Sequence, residues 1–136
     1  MSLLVPTSVL TRIKQGEAIK DKEFISIIEE SLPKGSSIII SLCERKKSGE
    51  KGLLLDSPDH MDTETRGQLL RIMASSSIRS AIENQYGVQL GFRNCHASGV
   101  IGKDEDKAEF EKFFSVHEQL KACLLYTSPS PRDRQK

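Results

Sequence analysis

The sequence lacks tryptophan, contains few cysteines and has no long apolar run. Its 136 residues include three cysteines and five prolines, and 37% are hydrophobic. No stretch approaches the ~20 apolar residues that a membrane-spanning helix needs. The scarcity of cysteine and the absence of an apolar leader behind Met1 predict a reducing compartment, most simply the cytoplasm. The length is typical of one small domain with a single core.

The end of the chain reads differently from the rest. Back-translated, Cys123 to Asp133 resembles one reading frame of a transposase adapter used to build sequencing libraries. We therefore expect one α+β domain over 1–122, truncated at its C-terminus, and a non-native, disordered tail over 123–136. Without this tail the net charge of +1 becomes about −1, because the tail holds three bases and one acid. A near-neutral domain has no general attraction for nucleic acid or an anionic membrane.

The first part of the chain predicts two helices followed by a strand. Apolar residues recur at helical spacing after Pro6 and again after Asp21, and Gly16 and Pro33 end the two patterns. The β-branched run 36–43 is almost continuously apolar, which favours a strand covered on both faces. A polar, charged loop then leads to a short apolar segment, as in a hairpin.

The second part predicts two more helices, a strand and a final helix. Asp62 or Thr63 begins the first helix, the serines 75–77 interrupt the pattern and cap the second, and Gly87 ends it. Three of the five phenylalanines lie in the last helix, which begins after Asp104.

The predicted fold class is α+β. We expect a small three-stranded mixed sheet formed by 36–43, 53–56 and 88–95, packed by about five helices in the order α-α-β-β-α-α-β-α. Two helices before the third strand allow it to pair parallel with an earlier strand through a right-handed crossover.

The predicted strand ends suggest a thiol or metal site. Cys43 would end the first strand, and Cys95 and His96 would end the third, so parallel pairing would bring them to one edge of the sheet. A thiolate beside an imidazole is typical of a cysteine nucleophile or a soft metal site. His60, in the loop after the second strand, is a further candidate ligand. The alternative is that both cysteines are small buried core residues.

Basic residues suggest a nucleic-acid site as a second alternative. The loop 44–51 holds four bases and two acids, and the helix 76–86 begins with serines and carries a further base. The helix pair around the serines resembles, loosely, a helix-turn-helix. The candidate phosphate-contacting residues are Lys34, Arg45, Lys46, Lys47, Lys51 and Arg79.

No complete catalytic set, nucleotide motif or cofactor motif is present in the sequence, so we expect no enzyme activity and no cofactor. The leading hypothesis is a small cytoplasmic binding or regulatory module that acts through protein–protein contacts or self-association. Its two amphipathic N-terminal helices would dock on the partner. Nucleic-acid binding and the thiol or metal site remain the alternatives, and no membrane partner is expected.

Overall fold

The computed structural model describes residues 3–56, 62–93 and 97–126, the last five of these by backbone alone. Within these ranges the chain forms seven helices and three strands. The helices are α1 (Thr7–Lys14), α2 (Asp21–Ser31), α3 (Pro33–Lys47), α4 (Thr63–Ala74), α5 (Ser76–Tyr86), α6 (Ala108–Phe113) and α7 (Val116–Tyr126). The strands are β1 (Leu54–Asp56), β2 (Val88–Arg93) and β3 (Ala97–Gly102).

The three strands form one antiparallel sheet in the order β1-β3-β2. Val100 of β3 is the centre of the register, because it pairs with Leu54 on one side and Leu90 on the other. The α+β class is therefore confirmed, as are strands close to 53–56 and 88–95. The predicted mixed sheet with a parallel crossover is wrong, because β2 and β3 are joined directly along the chain and pair antiparallel.

The predicted strand at 36–43 is wrong, because these residues lie in the middle of α3. Pro33 occupies the first helical turn, where its missing N–H costs nothing. The buried positions after it are 35, 36, 39, 40, 42 and 43, which is the spacing of one helical face. The isoleucine run thus belongs to a buried helix. The preference of its β-branched side chains for strands was outweighed by the packing of that helical face.

Gly35 is the reason that α3 and α4 pack closely. A Cβ at this position would lie 2.7 Å from the Cβ of Gln68 on α4, so no larger residue fits without a shift. The N–H of Gly35 donates to Oε1 of Gln68 at 2.8 Å, which satisfies a buried side chain. Gly35 therefore serves a close helix–helix contact inside α3.

Helices cover both faces of the sheet. Val88, Leu90, Val100 and Leu54 join the main core with α2 to α5. On the opposite face, the ring of Phe114 lies where Gly91 and Gly99 form a flat surface, since a Cβ on either would come within 2.6 Å of it. The predicted last helix is interrupted there, and its two parts are α6 and α7.

The helix ends around α4 and α5 are confirmed. Asp62 caps α4 by accepting the N–H of Thr65 at 2.7 Å, and Ser75 caps α5 by accepting the N–H of Ile78 at 3.4 Å. Gly87 follows α5 with a φ of +65°, the left-handed conformation that ends many helices. Among the described residues, no helix has the length and apolar character needed to cross a membrane.

Candidate nucleic-acid interface

The basic cluster at the end of α3 is largely engaged in internal contacts. Residues 44–47 are the last turn of α3 and not a hairpin tip, which corrects the predicted setting of this cluster. Arg45 forms two hydrogen bonds with Glu50, at 2.8 and 2.9 Å, and this carboxylate raises the pKa of Arg45. Lys46 is half-buried, with a side chain only 8% exposed, and forms an ion pair with Glu105. Only Lys47 and Lys51 of this cluster have no acidic partner in the described part of the chain.

Lys34 also has internal partners. Its ammonium lies 2.9 Å from a carboxylate oxygen of Glu64 and 3.4 Å from one of Asp62. The hydrogen bonds to these two acids raise the pKa of Lys34. The side chain therefore links α3 to the start of α4 and contributes little positive charge to the surface.

Glu105 connects three segments that are distant in the sequence. Its Oε1 accepts the N–H of Gly102 at 2.8 Å and receives the ammonium of Lys46. Its Oε2 accepts the N–H of Gly52 at 2.7 Å. These contacts, with the Lys46 hydrogen bond the strongest, lower the pKa of Glu105 to about 2. The group fixes the end of α3, the loop before β1 and the end of β3.

Cys43 is buried on α3 and does not stand at a strand end. Burial raises the pKa of its thiol to about 12, so the thiolate needed for nucleophilic or metal chemistry does not form near neutral pH. Its partners in the predicted thiol or metal site, Cys95, His96 and His60, lie outside the described residues. In the described segments, no three His, Cys, Asp or Glu residues lie together as a metal site requires.

A groove lies between the α4–α5 turn and β2, and we call it the β2 groove. Its volume is about 270 Å³. It is lined by Leu70, Met73, Ala74, Arg79, Leu90, Gly91 and Phe92. Leu70 is 44% exposed there. The lining is thus apolar with a single cation, Arg79.

Arg79 is held in place at the groove by a hydrogen bond from Nη1 to the carbonyl of Met73, at 3.1 Å. No carboxylate of the described residues forms an ion pair with it. It lies on the first turn of α5, where the N–H groups of Ser76 and Ser77 have no carbonyl one turn earlier to bind. A guanidinium is a favourable contact for a phosphate, and helix N-termini in general favour anions.

A second depression continues from the β2 groove along the edge of β2, and we call it the basic recess. Its volume is about 530 Å³. It is lined by Arg79, Glu83, Val88, Gln89, Leu90, Lys103 and Lys107. Glu83 is its one acid against three cations, and one oxygen of its carboxylate accepts the N–H of Leu90 at 2.9 Å. Lys103 contacts the neutral amide of Asn84, so its charge is not cancelled.

Of the six predicted phosphate-contacting residues, Arg79 alone lines the β2 groove. Lys47 and Lys51 lie beyond the basic recess, while Lys34, Arg45 and Lys46 have acidic partners. Sequence reasoning missed Leu70, Phe92, Lys103 and Lys107. The adjacent leucines 69 and 70 were a usable signal, because two neighbours on a helix cannot both face the same core.

A family model named KH_NucS_shadow, described as "NucS shadow ORF", matches residues 1–130. No curated protein and no solved structure matches the chain significantly. Because the family model covers most of the sequence, the chain belongs to the NucS shadow ORF family.

Proposed function

We propose that the chain binds single-stranded nucleic acid in the β2 groove. The observation that carries this proposal is the groove itself, an apolar channel with an arginine near a helix start that forms no ion pair with the described residues. Leu70, Met73 and Phe92 offer surfaces against which unstacked bases pack, and Arg79 offers a contact for the phosphate between them. The bases of a duplex are paired and stacked, so they cannot enter such a channel without unpairing.

The family name supports a nucleic-acid role in one further respect. KH is the name of a module in which a Gly-X-X-Gly loop clamps the backbone of four nucleotides. Gly49 and Gly52 have this spacing in the loop from α3 to β1. However, the N–H groups of Gly49, Glu50 and Gly52 already donate to groups within the protein. The α4–α5 turn, with Ser75 and no glycine, borders the groove, so we assign the phosphate contact to that turn and Arg79.

The test uses a matched pair of substitutions. Leu70 and Leu10 are equally exposed, at 44% and 43%, so changing either to aspartate costs little core packing. We expect Leu70→Asp to weaken binding of a labelled single strand at least tenfold, because it loses base packing and repels phosphate. Leu10→Asp adds the same charge on α1, which contributes no residue to the groove, and should change affinity less than twofold.

The measurement is fluorescence anisotropy at low salt, with a single strand and a duplex of the same sequence. The expected order of affinity is single strand above duplex. The absence of binding to either at low salt would refute the proposal. Equal losses in the two variants would refute the assignment to the β2 groove.

A protein–protein role is a second candidate, and the observation that favours it is the exposed apolar face of α1. Leu10 and Ile13 are 43% and 50% exposed on the same short helix, and Leu4 before it is 66% exposed. Such a patch is typical of a contact surface. Sedimentation at increasing concentration tests it: wild type should associate, and Ile13→Ser should remain monomeric. A wild type that stays monomeric at all concentrations would count against self-association through α1.

A further inference from the structure

We infer that a bound single strand of nucleic acid continues beyond the basic recess onto the loop between α3 and β1, where Lys47 and Lys51 contact its phosphates. This inference rests on the proposed single-strand binding. It adds a second contact region, so that long oligonucleotides are held at more points than short ones.

The surface is continuous over this distance. The β2 groove and the basic recess share Arg79 and Leu90. The basic recess in turn shares Val88 and Lys103 with a third depression, of about 360 Å³, on the α3–β1 loop. β2 has six residues and is therefore roughly 20 Å long. The three depressions therefore follow one another along the edge of β2, and each shares two lining residues with the next.

The charge of the third depression is positive once internal pairs are removed. Glu105 neutralises Lys46, and Glu50 is bound to Arg45. Lys47, Lys51 and Lys103 then remain against one acid, Asp104. The chain as a whole is near neutral, so this excess is local and not a general property of the surface.

The loop between α3 and β1 contacts phosphates through its side chains and not through its backbone. The N–H of Ser48 donates to the carbonyl of Glu44 and that of Gly49 to Lys46, and the N–H of Gly52 donates to Glu105. Lysine side chains bind phosphates without regard to base identity. We therefore expect the extended contact to strengthen binding of any sequence and to be strongly salt-dependent.

The experiment compares two oligonucleotide lengths with the full chain. A strand of about two nucleotides is confined to the β2 groove, whereas one of about twelve reaches the loop. For the longer strand, Lys47→Ala/Lys51→Ala should reduce the slope of log affinity against log salt by about 1.4, since each phosphate contact to a single strand contributes about 0.7. For the shorter strand, the slope should not change.

The control is Lys14→Ala/Lys112→Ala, which removes the same charge from exposed positions on α1 and α6. It should leave both slopes unchanged. An unchanged slope for the longer strand with the loop variant, or equal changes for both lengths, would overturn the inference while leaving the groove proposal intact. If wild type binds neither strand, the proposed function fails and the inference with it.

Discussion

Two basic clusters of this chain differ in how their charge is used. At the end of α3, Arg45 and Lys46 each meet a carboxylate, and Lys46 is only 8% exposed. Along β2, Arg79, Lys103 and Lys107 line an open surface whose one acid is held by a backbone N–H. The α3 cluster is denser in sequence, yet the β2 cluster offers more charge to a ligand. The partners that the fold places beside a basic residue therefore decide whether it stabilises the structure or is available for binding.

The largest expected effect concerns Lys46. Lys46→Met keeps the aliphatic packing but removes the charge opposite Glu105, so a partly buried carboxylate loses its cation. We expect the free energy of unfolding to fall by about 2–3 kcal/mol. Urea denaturation measures it. Unchanged stability would mean that the α3 cluster is not structural and would remove the contrast with the β2 cluster.

The pH dependence of stability tests the structural role of the ion pair between Lys46 and Glu105. The pKa of Glu105 is about 2 in the folded protein and near 4.5 in the unfolded chain. Its contribution is therefore fully present above about pH 4.5 and is lost as the pH falls towards 2. The stability difference between wild type and Glu105→Gln, measured by urea denaturation, should shrink over this window. A difference that is constant with pH would contradict the assigned ion pair.

The smallest expected effect concerns Arg45. Its ion pair with Glu50 is exposed, at 47% and 45% for the two side chains. Exposed pairs contribute little to stability. Arg45→Met should therefore leave the unfolding midpoint almost unchanged, and it should leave the affinity for a short single strand unchanged as well. A marked loss of affinity for the short strand would show that the α3 cluster binds ligand directly.

The sequence predicted the fold class but not the layout of the sheet. Local signals were sufficient where a side chain acts on its own backbone, as at Asp62, Ser75 and Gly87. They failed at 36–43, because a β-branched run fits either a buried strand or a buried helix until its packing partner is known. Gly35 illustrates this, since only the position of Gln68 explains why a glycine lies inside α3.

The candidate site was predicted only in part. Arg79 was identified from its place near the start of a serine-capped helix. The β2 groove could not be, because it joins residues from α4, α5 and β2 that meet only when the two helices pack against the strand. Basic residues close together in sequence were the visible signal, but the acids that neutralise Lys34 and Lys46 are about thirty and sixty residues away along the chain.

Binding of a single strand along β2 is best tested by mapping backbone amide shifts by NMR during titration with a single-stranded oligonucleotide. We expect the shifts to concentrate at Ser76 and Ser77 at the start of α5, at Leu90 in β2 and at Lys103 after β3. Shifts confined to α1 around Leu10 and Ile13, or no shifts at low salt, would contradict it.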